Sequence, residues 1–188
     1  SLSTIHGGDR SQDKVLVATP PEGLDRGAIA MSAQVNLGDP AEPEMIQRMA
    51  RITTVSHEKS IPVLGMFYPR GRNLILDDSD STSGVAHAAR LAWELGCNVV
   101  KVPWTGSEES FGIVTTSVPI PVLVSGGPKD DDFGKVLKLV EKSINAGGSG
   151  VCMGRNVFSS EDPASRIRAL RSIVHEGANA EEASRHLR

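Results

Sequence analysis

Aromatic residues make up only 4% of this 188-residue chain, which has one tyrosine and two tryptophans. Cysteine is scarcer still. Cys97 and Cys152 are the only two, fit neither a disulfide framework nor a zinc site, and point to a reducing compartment. No basic stretch exists that could neutralise a run of phosphates, and the formal net charge is -3, which argues against nucleic acid as a partner. No apolar run approaches the ~20 residues of a membrane span, and the N-terminus lacks a charged-then-apolar signal pattern. A cytoplasmic protein with no membrane partner is the expectation. The five histidines (His6, His57, His87, His175, His186) show no ligand spacing, so no metal or other cofactor is expected and they are read as surface residues.

What the chain does have is glycine (19), proline (11) and a 39% hydrophobic content, enough for one ordinary domain with frequent turns. A short apolar run, a Gly/Pro-rich break and an amphipathic stretch recur along it. The runs Ala28 to Val35, Ile61 to Phe67, Asn98 to Val102, Ile120 to Val124 and Gly150 to Met153 predict strands, with a weaker one at Val15 to Ala18. Most lack polar alternation, as suits parallel strands covered on both faces. Helices are predicted around four stripes: Met45–Met49–Ile52–Val55, Val85 to Leu95, Phe133 to Ile144, and Ile167–Leu170–Val174 behind Asp162-Pro163. Asn179 followed by Glu182 reads as a capping box for a short final helix. The reading is one α/β domain, 1–188, with parallel pairing.

In such folds chemistry sits where strands end. Asn98-Val99-Val100-Lys101-Val102-Pro103-Trp104 places a lysine inside an apolar run, on the face opposite Val100 and Val102. An amine that loses hydration there is driven toward its neutral form, a nucleophile able to form a Schiff base. A lysine that snorkels to solvent or pairs with a buried carboxylate is the other reading, and composition leaves both open. Met66-Phe67-Tyr68-Pro69-Arg70-Gly71 ends the preceding strand with the sole tyrosine, a candidate general acid/base or a ring packed at the rim, and with Arg70, suited to an anion. The last two strands end in Ser125-Gly126-Gly127-Pro128-Lys129 and Met153-Gly154-Arg155-Asn156. Such glycines let backbone N–H groups approach an anion, and a helix N-terminus behind them adds positive charge, which together imply a phosphorylated small molecule. Cys152 reads as a small core residue, Asp130-Asp131-Asp132 as a helix N-terminus, and Asp77-Asp78-Ser79-Asp80 as a solvated loop before a helix.

YPRG, VKVPWTG, SGGPK and GVCMGRNVF, in that order, with Val35-Asn36-Leu37-Gly38 before them and IVHEGANAEEA after, resemble the archaeal-type class I aldolases. That family includes archaeal fructose-bisphosphate aldolase and 2-amino-3,7-dideoxy-D-threo-hept-6-ulosonate synthase. The resemblance implies a (β/α)8 TIM barrel and a Schiff-base aldolase or synthase acting on a phosphorylated ketose. It further implies Lys101 as the Schiff-base lysine, Tyr68 as acid/base, Arg70 at a substrate position, and Ser125, Gly126, Gly127, Gly154 and Arg155 on the substrate-phosphate loops. No metal or cofactor is implied, and relatives form homo-oligomers, often decamers.

The heptulosonate-synthase branch, with aspartate semialdehyde as acceptor, fits the C-terminal stretch and the Met66 to Arg70 run better than fructose-bisphosphate aldolase or the thiolase-like branch. Gln34 stands where that branch has histidine. Ser1 to Thr4 looks like the end of the family's third strand, so the first two βα units, and the aspartate that the first supplies, have no counterpart. The length matches this shortfall against the ~250 residues of a full barrel. An incomplete, inactive barrel that only binds phosphorylated ligands is the alternative from a different functional class.

Overall fold

A computed structural model describes residues 13–74 and 80–187. The end-of-strand reading at Ser1 to Thr4, His6 and the acidic loop residues Asp77 to Ser79 lie outside them. Each main Val- or Ile-rich run becomes a strand: β1 (Met31–Leu37), β2 (Val63–Pro69), β3 (Val99–Val102), β4 (Val122–Ser125) and β5 (Gly150–Cys152). They form one sheet in chain order, and every neighbouring pair is parallel. Parallel neighbours need crossovers, and α2 (Glu42–Glu58), α3 (Thr82–Glu94), α4 (Glu108–Thr116) and α5 (Phe133–Asn145) supply them. Strand order never reverses, so the sheet has no switch point of the doubly wound kind. Winding in one direction through five βα units is the build of a TIM barrel.

The register sorts the strand residues into two faces. Val35, Phe67, Val100, Val122 and Val124 point toward the helices and are essentially inaccessible. They pack with Met45 and Met49 of α2, Val85 and Ala88 of α3, and Phe111 of α4. Phe67 is fully buried at 0% exposure. Phe67→Ala is therefore expected to cost about 3–5 kcal/mol, seen as a lower denaturation midpoint at unchanged slope. Gln34, Asn36, Met66, Tyr68, Lys101, Leu123 and Ser125 occupy the opposite face, the interior face of a barrel.

A second core joins α5 to α6 (Arg155–Phe158), α7 (Pro163–Glu176) and α8 (Ala180–Ser184) through Leu137, Val140, Val157, Ala169 and Ala183. The starts of α5, α7 and α8 are where the sequence placed them, whereas α6 and the Gly177 stop were not read from it. Asp132 accepts from the Gly134 N–H at 2.9 Å, Asp162 caps α7 through the Ser165 N–H at 3.0 Å, and Gly177 closes α7 with φ 72°. Asn179 and Glu182 form the reciprocal capping box, at 2.9 and 3.0 Å.

Three expectations need correction. Val15 to Ala18 forms no strand. Val15, Leu16 and Val17 are exposed, and the segment is pinned at its start, where Arg48 donates to the Lys14 carbonyl at 2.5 Å and pairs with Asp13 at 3.2 Å. It then runs through Thr19 into α1 (Pro20–Asp25), whose prolines suit a first helical turn. Ile167, read as part of a buried stripe, is 46% exposed on α7. Cys152 is not a core residue, because it lies half-buried on the interior face opposite Ser125. Cys97 is the core thiol, 3.7 Å from the Met49 sulfur and pushed up to about 12 by burial.

Among the described residues no helix is long and apolar enough to cross a membrane, and no cluster of His, Cys, Asp and Glu could hold a metal. His57, His87, His175 and His186 are exposed, as read from the sequence.

Candidate functional site

Lys101 stands in the middle strand of the five. In-register partners of parallel strands share a face, so Gln34, Met66, Lys101 and Leu123 form one continuous row across β1 to β4. All four are half-buried. Lys101 is the only lysine in any of the five strands, and no described residue hydrogen-bonds or ion-pairs with its amine. The alternative of a lysine neutralised by a buried carboxylate finds no support among the described residues.

One step toward the C-terminal edge lies a second row. Tyr68 is paired with Asn36, and Ser125 with Cys152. Tyr68 therefore shares the face of Lys101 on the adjacent strand. The Arg70 guanidinium lies over the Tyr68 ring, 4.5 Å from its centroid. Arg70 Nε donates to Asn36 Oδ1 at 3.0 Å, and Gln34 Nε2 donates to the same oxygen at 2.9 Å. Asn36, fully buried, thus links the two rows to the loop after β2.

Gly71 explains how that loop comes so close. A Cβ there would overlap the Gly38–Asp39 peptide, and the Gly71 N–H donates to the Leu37 carbonyl at 2.8 Å. Gly38 itself has φ 79°, so both loops need glycine at their crossing.

On the other side of Lys101 the loops after β4 and β5 meet. Gly127 adopts φ 63°, and a Cβ on Gly126 would come within 2.5 Å of Met153 Cβ. The Gly126, Gly127 and Gly154 amides donate to no acceptor among the described residues. Arg155 Nη2 donates to the Gly127 carbonyl at 3.0 Å. Helices contribute less here than the sequence implied. The one after Gly154 is a single turn, and α5 begins only at Phe133, several residues beyond Gly127 and capped by its own Asp132. What these loops offer an anion is instead the unengaged glycine amides and the guanidinium groups.

The electrostatics point the same way. Partial loss of water lowers the Arg70 guanidinium below its ordinary value, Tyr68 opposes this, and the nearby Arg155 adds to it. Arg70, directly after β2, and Arg155, the first residue of α6, therefore repel each other, and anions bound beside them would relieve that repulsion.

The structure thus brings Lys101, Tyr68, Arg70, Ser125, Gly126, Gly127, Gly154 and Arg155 to one face and one edge of the sheet. Three neighbours escaped the sequence reading. Asn36 and Asn156 are buried amides whose roles lie in hydrogen bonds that no pattern of spacing displays. Lys14, 4% exposed, is the third. Burial lowers its amine, with Arg70 adding to the effect and Asp13 and Asp39 opposing it. Its only sequence signal is a lysine directly before the Val-rich run.

A profile for the DeoC/LacD family of aldolases matches residues 3–160. The chain is 38% identical over 175 residues to 2-amino-4,5-dihydroxy-6-oxo-7-(phosphonooxy)heptanoate synthase of Streptomyces griseus, covering 93% of this chain and 63% of that protein. It is 39% identical over 170 residues to 2-amino-3,7-dideoxy-D-threo-hept-6-ulosonate synthase 1 of Archaeoglobus fulgidus, covering 90% and 62%. Among solved structures, an archaeal fructose 1,6-bisphosphate aldolase superposes with TM-score 0.80 at 33% identity, over 87% of this chain and 64% of that one. A further structure of an archaeal fructose-1,6-bisphosphate aldolase, with the catalytic Lys covalently bound to the carbinolamine intermediate of the substrate, gives 0.79 at 32% identity, over 85% and 63%. The chain thus spans slightly less than two thirds of the length of these relatives.

Proposed function

The chain belongs to the DeoC/LacD family of aldolases, and from that premise we propose that it makes or breaks a carbon–carbon bond of a phosphorylated ketose through a Schiff base on Lys101. The observation that carries this reading is the placement of Lys101: the one strand lysine, half-buried on the interior face, with an amine engaged by no described residue.

The chemistry follows from the geometry. Lys101 Nζ attacks the ketone carbon, giving a carbinolamine that loses water to an iminium. The iminium draws electrons from the adjacent carbon, which gives up a proton and becomes the enamine nucleophile. Attack on an aldehyde forms the new bond, and the aldehyde oxygen gains a proton as it becomes a hydroxyl. The proton lost from carbon and the proton gained by oxygen balance, and Tyr68, one row from Lys101, is the shuttle. Water then hydrolyses the iminium and frees the lysine. Ser125, Gly126, Gly127, Gly154 and Arg155 hold the phosphate, so that remote binding energy fixes the carbonyl over Lys101. Arg70 serves a second anionic group on the β2 side.

Higher identity to the heptulosonate synthases, 38% and 39% against 33% for the fructose 1,6-bisphosphate aldolase, supports the synthase branch. The product in the Streptomyces protein's name is a seven-carbon β-hydroxyketone with a terminal phosphate. Cleaving the bond between its α-carbon C5 and its β-carbon C4 yields dihydroxyacetone phosphate and aspartate semialdehyde. The carboxylate of that acceptor is the anion assigned to Arg70.

Borohydride reduction after incubation with dihydroxyacetone phosphate tests the reading. A stable adduct mapped by mass spectrometry to Lys101 is expected. No adduct with dihydroxyacetone phosphate or fructose 1,6-bisphosphate overturns it, and phosphate affinity without an adduct marks a barrel that only binds. With aspartate semialdehyde added, a seven-carbon amino-keto phosphate is expected; cleavage of fructose 1,6-bisphosphate instead points to the aldolase alternative.

A further inference from the structure

We infer that Asn156 is the positioning residue of the phosphate loops, presetting the Gly127 amide for an anion before any ligand arrives; the inference rests on the reading of those loops given above. Asn156 is 1% exposed, although it directly follows the exposed Arg155. Its Nδ2 donates to the Gly126 carbonyl at 2.6 Å and to the Pro128 carbonyl at 3.0 Å. Its Oδ1 accepts from the Asp130 N–H at 2.9 Å. One side chain from α6 thus holds three successive points of the loop after β4. The orientation of the carboxamide is fixed by chemistry, since two carbonyls demand the NH2 end and one N–H demands the oxygen.

The consequence follows from peptide geometry. In a trans peptide the C=O of one residue and the N–H of the next point in opposite directions. Drawing the Gly126 carbonyl onto Asn156 Nδ2 therefore turns the Gly127 N–H the other way. That amide has no acceptor among the described residues, and the φ of 63° at Gly127 is one that other residues rarely adopt. Arg155 fixes the next carbonyl, that of Gly127, at 3.0 Å. Asn156 is itself anchored from behind. Arg166 Nη1 donates to its backbone carbonyl at 2.6 Å while the Arg166 guanidinium lies 4.5 Å from the centroid of Phe133, the first residue of α5. No other side chain of this length offers a double donor and an acceptor together. An aspartate would set a carboxylate oxygen against two carbonyl oxygens.

The test pairs Asn156→Asp with Asn156→Ala and compares dihydroxyacetone phosphate with unphosphorylated dihydroxyacetone in borohydride trapping on Lys101. Inorganic phosphate binding is measured by calorimetry in parallel. Both variants are expected to weaken phosphate binding and raise KM for the phosphorylated ketose about 10- to 100-fold. Adduct formation at saturating substrate, and trapping of dihydroxyacetone, should change less than about threefold on the same scale. Equal losses for the two ketones, or wild-type phosphate binding in Asn156→Asp, overturn the inference. Wild-type protein that binds no phosphate overturns the loop reading and this inference with it, whereas wild-type binding retained in Asn156→Asp removes this inference alone. A measurement that needs no variant guards against misfolding. In the wild-type protein the Asn156 NH2 protons should exchange slowly without phosphate, while the Gly127 amide resonance moves when phosphate is added. Fast exchange of those NH2 protons overturns the inference.

Discussion

Lys101→Met is expected to abolish the borohydride-dependent adduct and to lower turnover by about 10⁴-fold or more, as loss of a covalent nucleophile does elsewhere. Folding should survive, because Lys101 has no hydrogen bond or ion pair with a described residue to lose, and its row already contains Met66 and Leu123. Methionine has similar length and no charge to desolvate, so thermal stability should be equal or higher. Lys101→Arg sharpens the point. Arginine keeps the positive charge but is never deprotonated in proteins and forms no imine, so it should be as inactive as methionine. If charge alone mattered, arginine would restore activity. The adduct map also identifies any competing amine. Lys14 is the one to watch, since it is buried beside Arg70 and its amine is lowered by that burial. An adduct on Lys14 in wild-type protein would move the chemistry to the other side of Tyr68. Turnover of Lys101→Met above about 1% of wild type would exclude Lys101 as the required nucleophile.

Lys101 was legible in the sequence because a strand has period two. Val100 and Val102 fix the helix-facing side, and a charged residue between them must face the other way. The same alternation yields the five strands and their parallel pairing, because valine runs without polar alternation need cover on both faces. Val15 to Ala18 shows the limit of that argument: a run of four apolar residues forms a strand only when a neighbour completes the ladder. Here the adjacent backbone is held by Arg48 instead. α4 escaped notice because only Phe111 and Val114 of its nine residues are buried, too few for a stripe. Gly71 and Gly126 show a different limit. Glycine in a loop announces a turn, whereas what they permit is the approach of another segment, Gly38 in one case and Met153 in the other. Asn36 and Asn156 were invisible for a related reason, since a buried amide is defined by partners distant in sequence.

Replacing Tyr68 by phenylalanine should lower kcat about 10²- to 10⁴-fold, the range for loss of a general acid/base, while leaving the Lys101 adduct with dihydroxyacetone phosphate largely intact. The variant separates two readings of the same side chain. As a packed ring, Tyr68 contributes apolar area and a face for the Arg70 guanidinium at 4.5 Å, and phenylalanine keeps both. Stability and Arg70 placement should then hardly change, and a tyrosine that only packs predicts normal turnover. As a proton shuttle, its hydroxyl is the whole contribution. The loss should fall on the step that makes or breaks the carbon–carbon bond, so the enzyme should accumulate as the imine and borohydride should trap at least as much of it as in wild type. Arg70→Met then probes the second half of the arrangement. Removing the guanidinium takes away the positive charge that lies over the Tyr68 ring and one of the donors to Asn36 Oδ1. Because the proposed function also gives Arg70 the second substrate anion, kcat and the KM for aspartate semialdehyde should worsen together, whereas Tyr68→Phe should leave that KM within about threefold. Normal turnover in Tyr68→Phe would leave the ring as packing and send the search for the shuttle to Asn36's neighbours, among which Gln34 cannot serve, since a carboxamide neither gives nor takes a proton at neutral pH.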